Sequence, residues 1–269
     1  MKRAIYSIIP LILAVMICLI SCRSRENKDP VSTGKSAREA PEIILQPLKN
    51  IPLDEAAIFR MNYPGEYHAL DAGEHRFSYE TVNFRLGEET VIPGYNLKDS
   101  KLGRHITLLL NNEIIIHHSS PEFGVRLEPG HYTALSFLTR SNYESLKGPD
   151  AYVIRQFDVG NGKKGDLDLS GPNLFYHMPS GSYSGKAREN IMLDFFIINC
   201  SLSVDSYKVR VAINDTLFLV DEWVPHIIRG LPDGESTISL ELIDGSGDRV
   251  SSPFNSMSRK IFLADLEPV

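Results

Sequence analysis

Apolar and polar residues alternate in short runs along most of the chain after residue 50. The run Lys-Val-Arg-Val-Ala-Ile at 208–213 has an apolar side chain at every second position, the period of a strand with one buried face. Such runs are separated by Gly, Pro, Asn and Asp, and no long stretch has the helical period. The pattern predicts an all-β fold built from sandwiches.

The pattern occurs twice. The stretch Tyr207–Asp244 reads as a hairpin, a crossing and a return strand, and the stretch beginning at His105 repeats it with an offset of 103 to 104 residues. Upstream, Phe77–Asn83 aligns with Leu193–Asn199, and Ile58-Phe59 aligns with Leu174-Phe175, at an offset of 116 residues. We therefore expect two tandem immunoglobulin-like β-sandwich domains.

The predicted domain boundaries follow from this repeat and from composition. Residues 1–21 form a signal peptide, and residues 22–50, rich in Ser, Lys, Glu, Asn, Pro and Gly, form a lipidated N-terminus and disordered tether. Residues 51–160 form the first sandwich and residues 172–269 the second. The Gly-rich segment 161–171 is the linker between them.

The N-terminus predicts a cell-envelope address. A basic start precedes an apolar run from Ile5 to Ile20, which is short for a membrane span and contains Pro10. The run ends in Leu19-Ile20-Ser21-Cys22, which resembles the lipobox of bacterial lipoproteins. The resemblance implies that Cys22 is acylated and the leader removed. Arg23 follows the cysteine, and the absence of Asp there favours the outer membrane, on either its periplasmic or its surface face.

Charge and cysteine content exclude some partners and bonds. Formal net charge is −6, and loss of Lys2 and Arg3 with the leader leaves 26 basic and 34 acidic side chains, or −8. No basic run stands out, so nucleic acid is not an expected partner. Cys200 is the one cysteine outside the leader and the lipobox, so no intrachain disulfide is expected in the folded part.

Histidines of the first repeat are candidate metal ligands. If Asn111-Asn112 is a two-residue turn, His105 lies opposite His118 on the adjacent strand, and His117 points to the other face. With His131 as a third ligand, this pair could hold a metal. The second repeat offers the alternative that the site is a solvated cross-strand pair, because its equivalent positions carry Lys208 and Asp221.

Other chemical motifs are weak. Gly181–Gly185 is not a nucleophile elbow, since Tyr183 occupies the serine position, and Cys200 follows an apolar run typical of a buried, inert thiol. Asp244–Asp248 has spaced oxygen donors but fits a polar hairpin turn better than a calcium loop. Trp223 could stack on a ligand or pack in a core or between domains. We therefore predict no enzyme and no cofactor.

Several segments together resemble a group of uncharacterised Bacteroidota lipoproteins that are often named phosphopeptide-binding. These segments are Leu174–Gly185, Ile191–Asn199, Gly230–Glu235, His105–Leu110 and Ala134–Ser145. The resemblance covers nearly everything from about residue 50 onward. It implies the host phylum, the lipobox and the tandem β arrangement, and it assigns no functional residue except the lipidated cysteine.

The sequence thus predicts a membrane-anchored bacterial lipoprotein that acts as a non-catalytic binding or assembly module in the cell envelope. Its expected partners are the lipid membrane, through acylated Cys22, and an envelope protein, a peptide or a glycan. The alternative is a periplasmic metal-handling protein that uses His105, His118 and His131.

Overall fold

The computed structural model describes residues 42–48, 56–66, 68–161 and 167–265. Within these ranges the chain forms seventeen β-strands and one short 3-10 helix at Gly185–Arg188. The all-β prediction is therefore confirmed. Every described residue belongs to one compact unit.

The first nine strands are β1 (Ile44–Pro47), β2 (Ile58–Tyr63), β3 (Ala69–Leu70), β4 (Gly73–Val82), β5 (His105–Leu110), β6 (Ile114–His118), β7 (Glu122–Leu127), β8 (Gly130–Thr139) and β9 (Tyr152–Val159). The first sandwich is formed by β2 to β9, and β1 precedes it in the chain. A three-stranded sheet, β2-β4-β7, faces a five-stranded sheet, β3-β9-β8-β5-β6. Phe77, Leu108, Leu138 and Phe157 are fully or almost fully buried between them.

The second sandwich repeats this plan. Its strands are β10 (Asn173–Met178), β11 (Gly181–Ser184), β12 (Ile191–Ile198), β13 (Lys208–Ile213), β14 (Thr216–Val220), β15 (His226–Arg229), β16 (Gly234–Ile243) and β17 (Met257–Ala264). A sheet ordered β11-β17-β16-β13-β14 faces a sheet ordered β1-β15-β12-β10. Val211, Leu240 and Tyr176 are fully buried between them. Two tandem immunoglobulin-like sandwiches are thus the observed architecture.

The fourth strand of that second sheet comes from the N-terminal side of the first sandwich. β1 pairs antiparallel with β15, from Ile44 opposite Arg229 to Pro47 opposite His226. A side chain at Gly230, which has φ +79°, would come within 2.1 Å of the Glu42 carbonyl oxygen, so the close approach requires glycine. The tether prediction is therefore wrong for Ile44–Pro47. Residues 1–41 and 49–50 lie outside the described residues.

The duplication is visible in matched hydrogen bonds. Asn111 donates its backbone N–H to the Thr133 carbonyl at 2.9 Å and accepts the Thr133 N–H with its side-chain oxygen at 2.8 Å. Asn214 makes the same two bonds to Thr237, both at 2.9 Å. The two hairpins therefore occupy equivalent places in the two sandwiches.

One part of the sequence alignment is off by a residue. Phe59 lies opposite Thr81 in the first sandwich, whereas Leu174 lies opposite Ile197 in the second. Phe59 is therefore equivalent to Leu174, and not to Phe175 as the sequence alignment predicts.

The two sandwiches stack face to face, so the molecule has four β layers. The outer face of the first five-stranded sheet packs on the outer face of the sheet that contains β10 and β12. The Phe137 and Phe196 ring centroids lie 4.4 Å apart. The buried residues at this interface are Leu109, Leu135, Phe137, Phe175, Phe196 and Ile198. β5, β10 and β12 are consequently buried on both faces.

Candidate functional site

The predicted histidine pairing is wrong by one residue. The turn after β5 has three residues, so Leu110 pairs with Ile114, and His118 lies opposite Ile106 rather than His105. Because side chains alternate between faces, a one-residue slip moves every side chain of β6 to the other face. His117 therefore shares a face with His105, and their ring centroids lie 4.9 Å apart.

The three predicted ligands lie in three different environments. His118 stacks on Phe123 at 4.7 Å, on the opposite face from His105. His131 places Nδ1 2.7 Å from a carboxylate oxygen of Asp158. In the described ranges no group of three or more His, Cys, Asp or Glu residues is placed to hold a metal ion. The structure does not bring His105, His118 and His131 together.

The face that carries His105 and His117 is covered by the second sandwich. His105 is fully buried, and its Nδ1–H donates to the Gly103 carbonyl at 2.7 Å. Burial lowers the pKa of His105 to about 4 and that of His117 to about 2, because neither imidazolium would be solvated. The interpretation of this site as a solvated surface pair is wrong.

A buried charge network joins the two sandwiches beside these histidines. Asp194 on β12 is fully buried, and one of its oxygens lies 2.6 Å from Lys147 Nζ in the β8–β9 connection. Its other oxygen lies 2.9 Å from His177 Nδ1 and accepts the hydroxyl of Ser145. We call these four residues the interdomain network.

The charges in the interdomain network stabilise one another. Burial alone would raise the pKa of Asp194, but Lys147 and His177 together hold it at about 2. Burial lowers the pKa of His177 despite its hydrogen bond to Asp194. Ser145 and His177 both bond the carboxylate rather than each other, so they do not form the nucleophile–base pair of a hydrolase.

Trp223 belongs to the same interface. Its indole Nε1–H donates to the Phe195 carbonyl at 2.9 Å, and that oxygen also accepts from Lys147 at 2.9 Å. The Lys147 ammonium lies 5.4 Å from the indole ring and 5.0 Å from the Phe196 ring, within cation–π range. Of the two interpretations of Trp223, interdomain packing is confirmed.

The longer turn after β5 has a structural role that sequence reasoning missed. Asn112, in that turn, is fully buried in the second sandwich. Its side chain accepts the Tyr176 N–H at 2.8 Å and donates to the carbonyls of Leu174 and Phe254, each at 3.2 Å. The sequence feature that could have indicated this role is the Asn-Asn-Glu turn, which is one residue longer than the two-residue turn of the second copy.

An exposed strand edge lies in the sheet of the second sandwich that does not face the first. β14 is the last strand of its sheet and pairs only with β13 among the described strands. Leu217 and Leu219 point outward, with 68% and 61% of their surface exposed. Beside β14 and β1 is a groove of about 210 Å³ lined by Leu45, Pro47, Phe218, Leu219, Val220, Asp221, Glu222 and His226. We call β14 and this groove the β14 edge.

The remaining candidates have ordinary structural roles. Cys200 is partly buried, and burial raises the pKa of its thiol to about 11, which makes it a poor nucleophile. The Asp244 carboxylate accepts the N–H groups of Ser246 at 2.9 Å and Asp248 at 3.0 Å. That is the polar hairpin turn predicted from the sequence. Cys22 lies outside the described residues.

In the described ranges, no helix has the length and apolar character needed to cross a membrane.

No protein-family model and no curated protein matches this chain. Among solved structures, it is similar to fibronectin(III)-like modules of Clostridium thermocellum CbhA, at 13% identity and a TM-score of 0.28, over 77% of this chain and 95% of that one. A Bacteroides ovatus glucan-utilization protein, SGBP-B, solved with a mixed-linkage heptasaccharide, matches at 10% identity and a TM-score of 0.24, over 76% and 47%. The Ig1-2 module of Drosophila receptor tyrosine phosphatase DLAR matches at 8% identity and a TM-score of 0.24, over 77% and 99%. The sheet topology, and not these distant likenesses, identifies the two tandem immunoglobulin-like sandwiches.

Proposed function

We propose that the protein is a lipoprotein anchored through acylated Cys22, and that its two stacked sandwiches act as a non-catalytic binding or assembly module of the cell envelope. The anchor rests on the lipobox, and its several acyl chains each contribute about 0.8 kcal/mol per buried methylene to membrane binding. Membership of the Bacteroidota group stays a prediction.

The binding role is supported by one contrast: the side chains with shifted pKa values are buried, whereas a strand edge is exposed. His105, His177 and Asp194 have shifted pKa values, as catalytic groups often do. However, all three are at most 1% exposed at the junction of the sandwiches, where they stabilise the junction and a substrate would not reach them. The β14 edge, in contrast, is exposed and has free backbone groups.

A protein or peptide partner fits this surface better than a glycan. Sugar-binding sites use exposed aromatic faces, and Phe262 is the one aromatic residue with an exposed side chain in the described part of the chain. Trp223 is occupied by interdomain packing. The metal-handling alternative has no observation in its favour, since its three ligands are dispersed.

The anchor can be tested by detergent phase partitioning of the protein from its host cells. We expect the wild-type protein in the detergent phase, Cys22→Ser in the aqueous phase, and a mass for the N-terminal peptide that includes acyl chains. Cys200→Ser is the matched control and should stay in the detergent phase. Wild-type protein in the aqueous phase, or Cys22→Ser in the detergent phase, would contradict the anchor.

A further inference from the structure

The backbone of β14 is arranged to accept another strand. The two-residue turn at Asn214-Asp215 makes Ile213 and Thr216 a hydrogen-bonded pair. Hydrogen-bonded and non-bonded pairs alternate along an antiparallel ladder, so the N–H and C=O groups of Leu217 and Leu219 point away from β13. An added strand would find four backbone groups to pair with.

The side chains of β14 do not protect this edge. Exposed edges in native proteins usually carry lysine, proline or a bulge that prevents strand addition. β14 reads Thr-Leu-Phe-Leu-Val, with none of these and with two largely exposed leucines. An incoming strand could therefore cover Leu217 and Leu219 on the outer face of the sheet.

On the inner side, the groove offers room for alternate side chains of an added strand. Leu45 and Pro47 of β1 form one wall, and Phe218 and Val220 of β14 form the other. Every second side chain of a strand beside β14 would point toward this groove. Asp221, Glu222 and His226 also line the groove, so such side chains would meet both apolar and polar groups there.

The residues that flank β14 in the chain are acidic, and the adjacent strand β13 carries Lys208 and Arg210. Asp215 precedes the strand, and Asp221 and Glu222 follow it. None of the three forms an ion pair with another described residue, whereas Arg210 on the neighbouring strand is already paired with Glu241. Basic residues at both ends of an added segment would therefore be attracted to this edge.

We propose that the β14 edge binds, by strand addition, an extended segment of a partner protein that has apolar residues at alternate positions and a Lys or Arg at each end. This is a binding mode in which main-chain hydrogen bonds give affinity and side-chain pockets give specificity. The inference rests on the proposed binding role and specifies its partner.

A second copy of this chain is the other occupant to consider. Antiparallel self-pairing centred on Phe218 would join Leu217 of each copy to Leu219 of the other. The same register places Asp215 directly opposite Asp221, and like charges in opposite positions destabilise a strand pair. The acidic ends thus favour a basic partner over self-association.

The test uses two fluorescein-labelled peptides and the mature lipidated chain in detergent micelles. One peptide is acetyl-Lys-Val-Thr-Val-Thr-Val-Lys-amide, and the other has Glu in place of both Lys residues. Fluorescence anisotropy should show binding of the Lys peptide that is at least about tenfold tighter than that of the Glu peptide. Hydrogen exchange at the amides of Leu217 and Leu219 should slow when the Lys peptide binds.

Variants locate the site. Leu217→Lys combined with Leu219→Lys should weaken binding of the Lys peptide by about tenfold or more, since lysines protect the edge and repel the probe. Phe262→Lys, which adds a charge at an exposed position of β17 in the same sheet, is the matched control and should bind as the wild type does. Both variants change exposed side chains, and their melting temperatures should match that of the wild type.

Three results would overturn the inference: equal binding of both peptides, wild-type binding by the double-lysine variant, or a concentration-dependent dimer that the double-lysine variant abolishes. None of them bears on detergent partitioning of the Cys22 variants, so failure of the edge site and failure of the anchor can be told apart.

Discussion

The same sheet face has opposite properties in the two sandwiches. In the first, Leu135 and Phe137 on β8 point outward and are fully buried against the second sandwich. The hairpin registers make Ser239 and Glu241 on β16 their equivalents, and both are partly exposed to solvent. The duplicated unit thus kept its core and changed one outer face according to what covers it.

The opposite sheets show the reverse pattern. The cross-strand pair Phe175–Phe196 is buried at the interface in the second sandwich. Its equivalent in the first is Arg60–Glu80, an ion pair with side chains 61% and 50% exposed. At these equivalent positions, each copy is therefore apolar on the outer face that meets its twin and polar on the open one. The stack cannot extend by adding further copies in the same way, because neither open face matches the joined ones.

The largest expected effect comes from the buried ion pair at the junction. Lys147→Met should lower the free energy of unfolding by about 3–5 kcal/mol, because Asp194 would stay buried without its cation. Lys260→Met is the matched change on the open face, where Lys260 pairs with Glu235 and both side chains are more than half exposed. It should cost at most about 1 kcal/mol.

Urea denaturation of both variants measures this difference. Equal losses for the two lysines would mean that the charges of the interdomain network do not stabilise the junction.

An exchange of residues between equivalent positions tests the apolar part of the comparison. Leu135→Ser gives the first copy the residue of the second and should cost about 2–5 kcal/mol, since a fully buried leucine leaves a cavity. Ser239→Leu is the reverse exchange on the open face and should change stability by no more than about 0.5 kcal/mol. Thermal and urea unfolding report both. A small effect of Leu135→Ser would show that the sandwiches do not depend on this contact.

The comparison of the two copies also shows why sequence reasoning succeeded for the fold. Alternation, turn residues and the repeat of Asn111 in Asn214 are local features, and they specify strands and hairpins without knowledge of the tertiary contacts. The docking of β1 on β15 could not be predicted in this way. A four-residue strand that follows a polar segment has little pattern of its own, and its partner lies about 180 residues away in the chain.

The candidate site was misjudged for a related reason. Lys208 in the second copy suggested that the equivalent position, His105, is solvated. Equivalent residues of a repeat share their local geometry, but they need not be covered by the same neighbouring layer. The informative signal was the set of outward positions where one copy is apolar and the other polar, such as Leu135 against Ser239. Those differences indicate which face of the first copy is covered.

The smallest expected effect is on the pH dependence of stability. It concerns the buried face that carries His105, whose equivalent in the second copy carries Lys208. Burial lowers the pKa of His105 from 6.5 to about 4, so between these values the unfolded chain binds a proton that the folded protein does not. The stability that His105 contributes is therefore complete above pH 6.5 and is lost as the pH falls toward 4. His117 and His177, with lowered pKa values, act in the same direction.

Glu144 acts in the opposite direction, because burial raises its pKa from 4.5 to about 7 despite the neighbouring Arg140. The folded protein keeps a proton there that the unfolded chain releases, so its contribution is complete below pH 4.5 and is lost as the pH rises through 7. His105→Asn should therefore flatten the loss of stability on acidification, by up to about 1.4 kcal/mol per pH unit, and Glu144→Gln should steepen it. Urea unfolding between about pH 5 and 7 measures both slopes. If both variants change the slope of stability against pH in the same direction, burial does not set the protonation of His105 and Glu144.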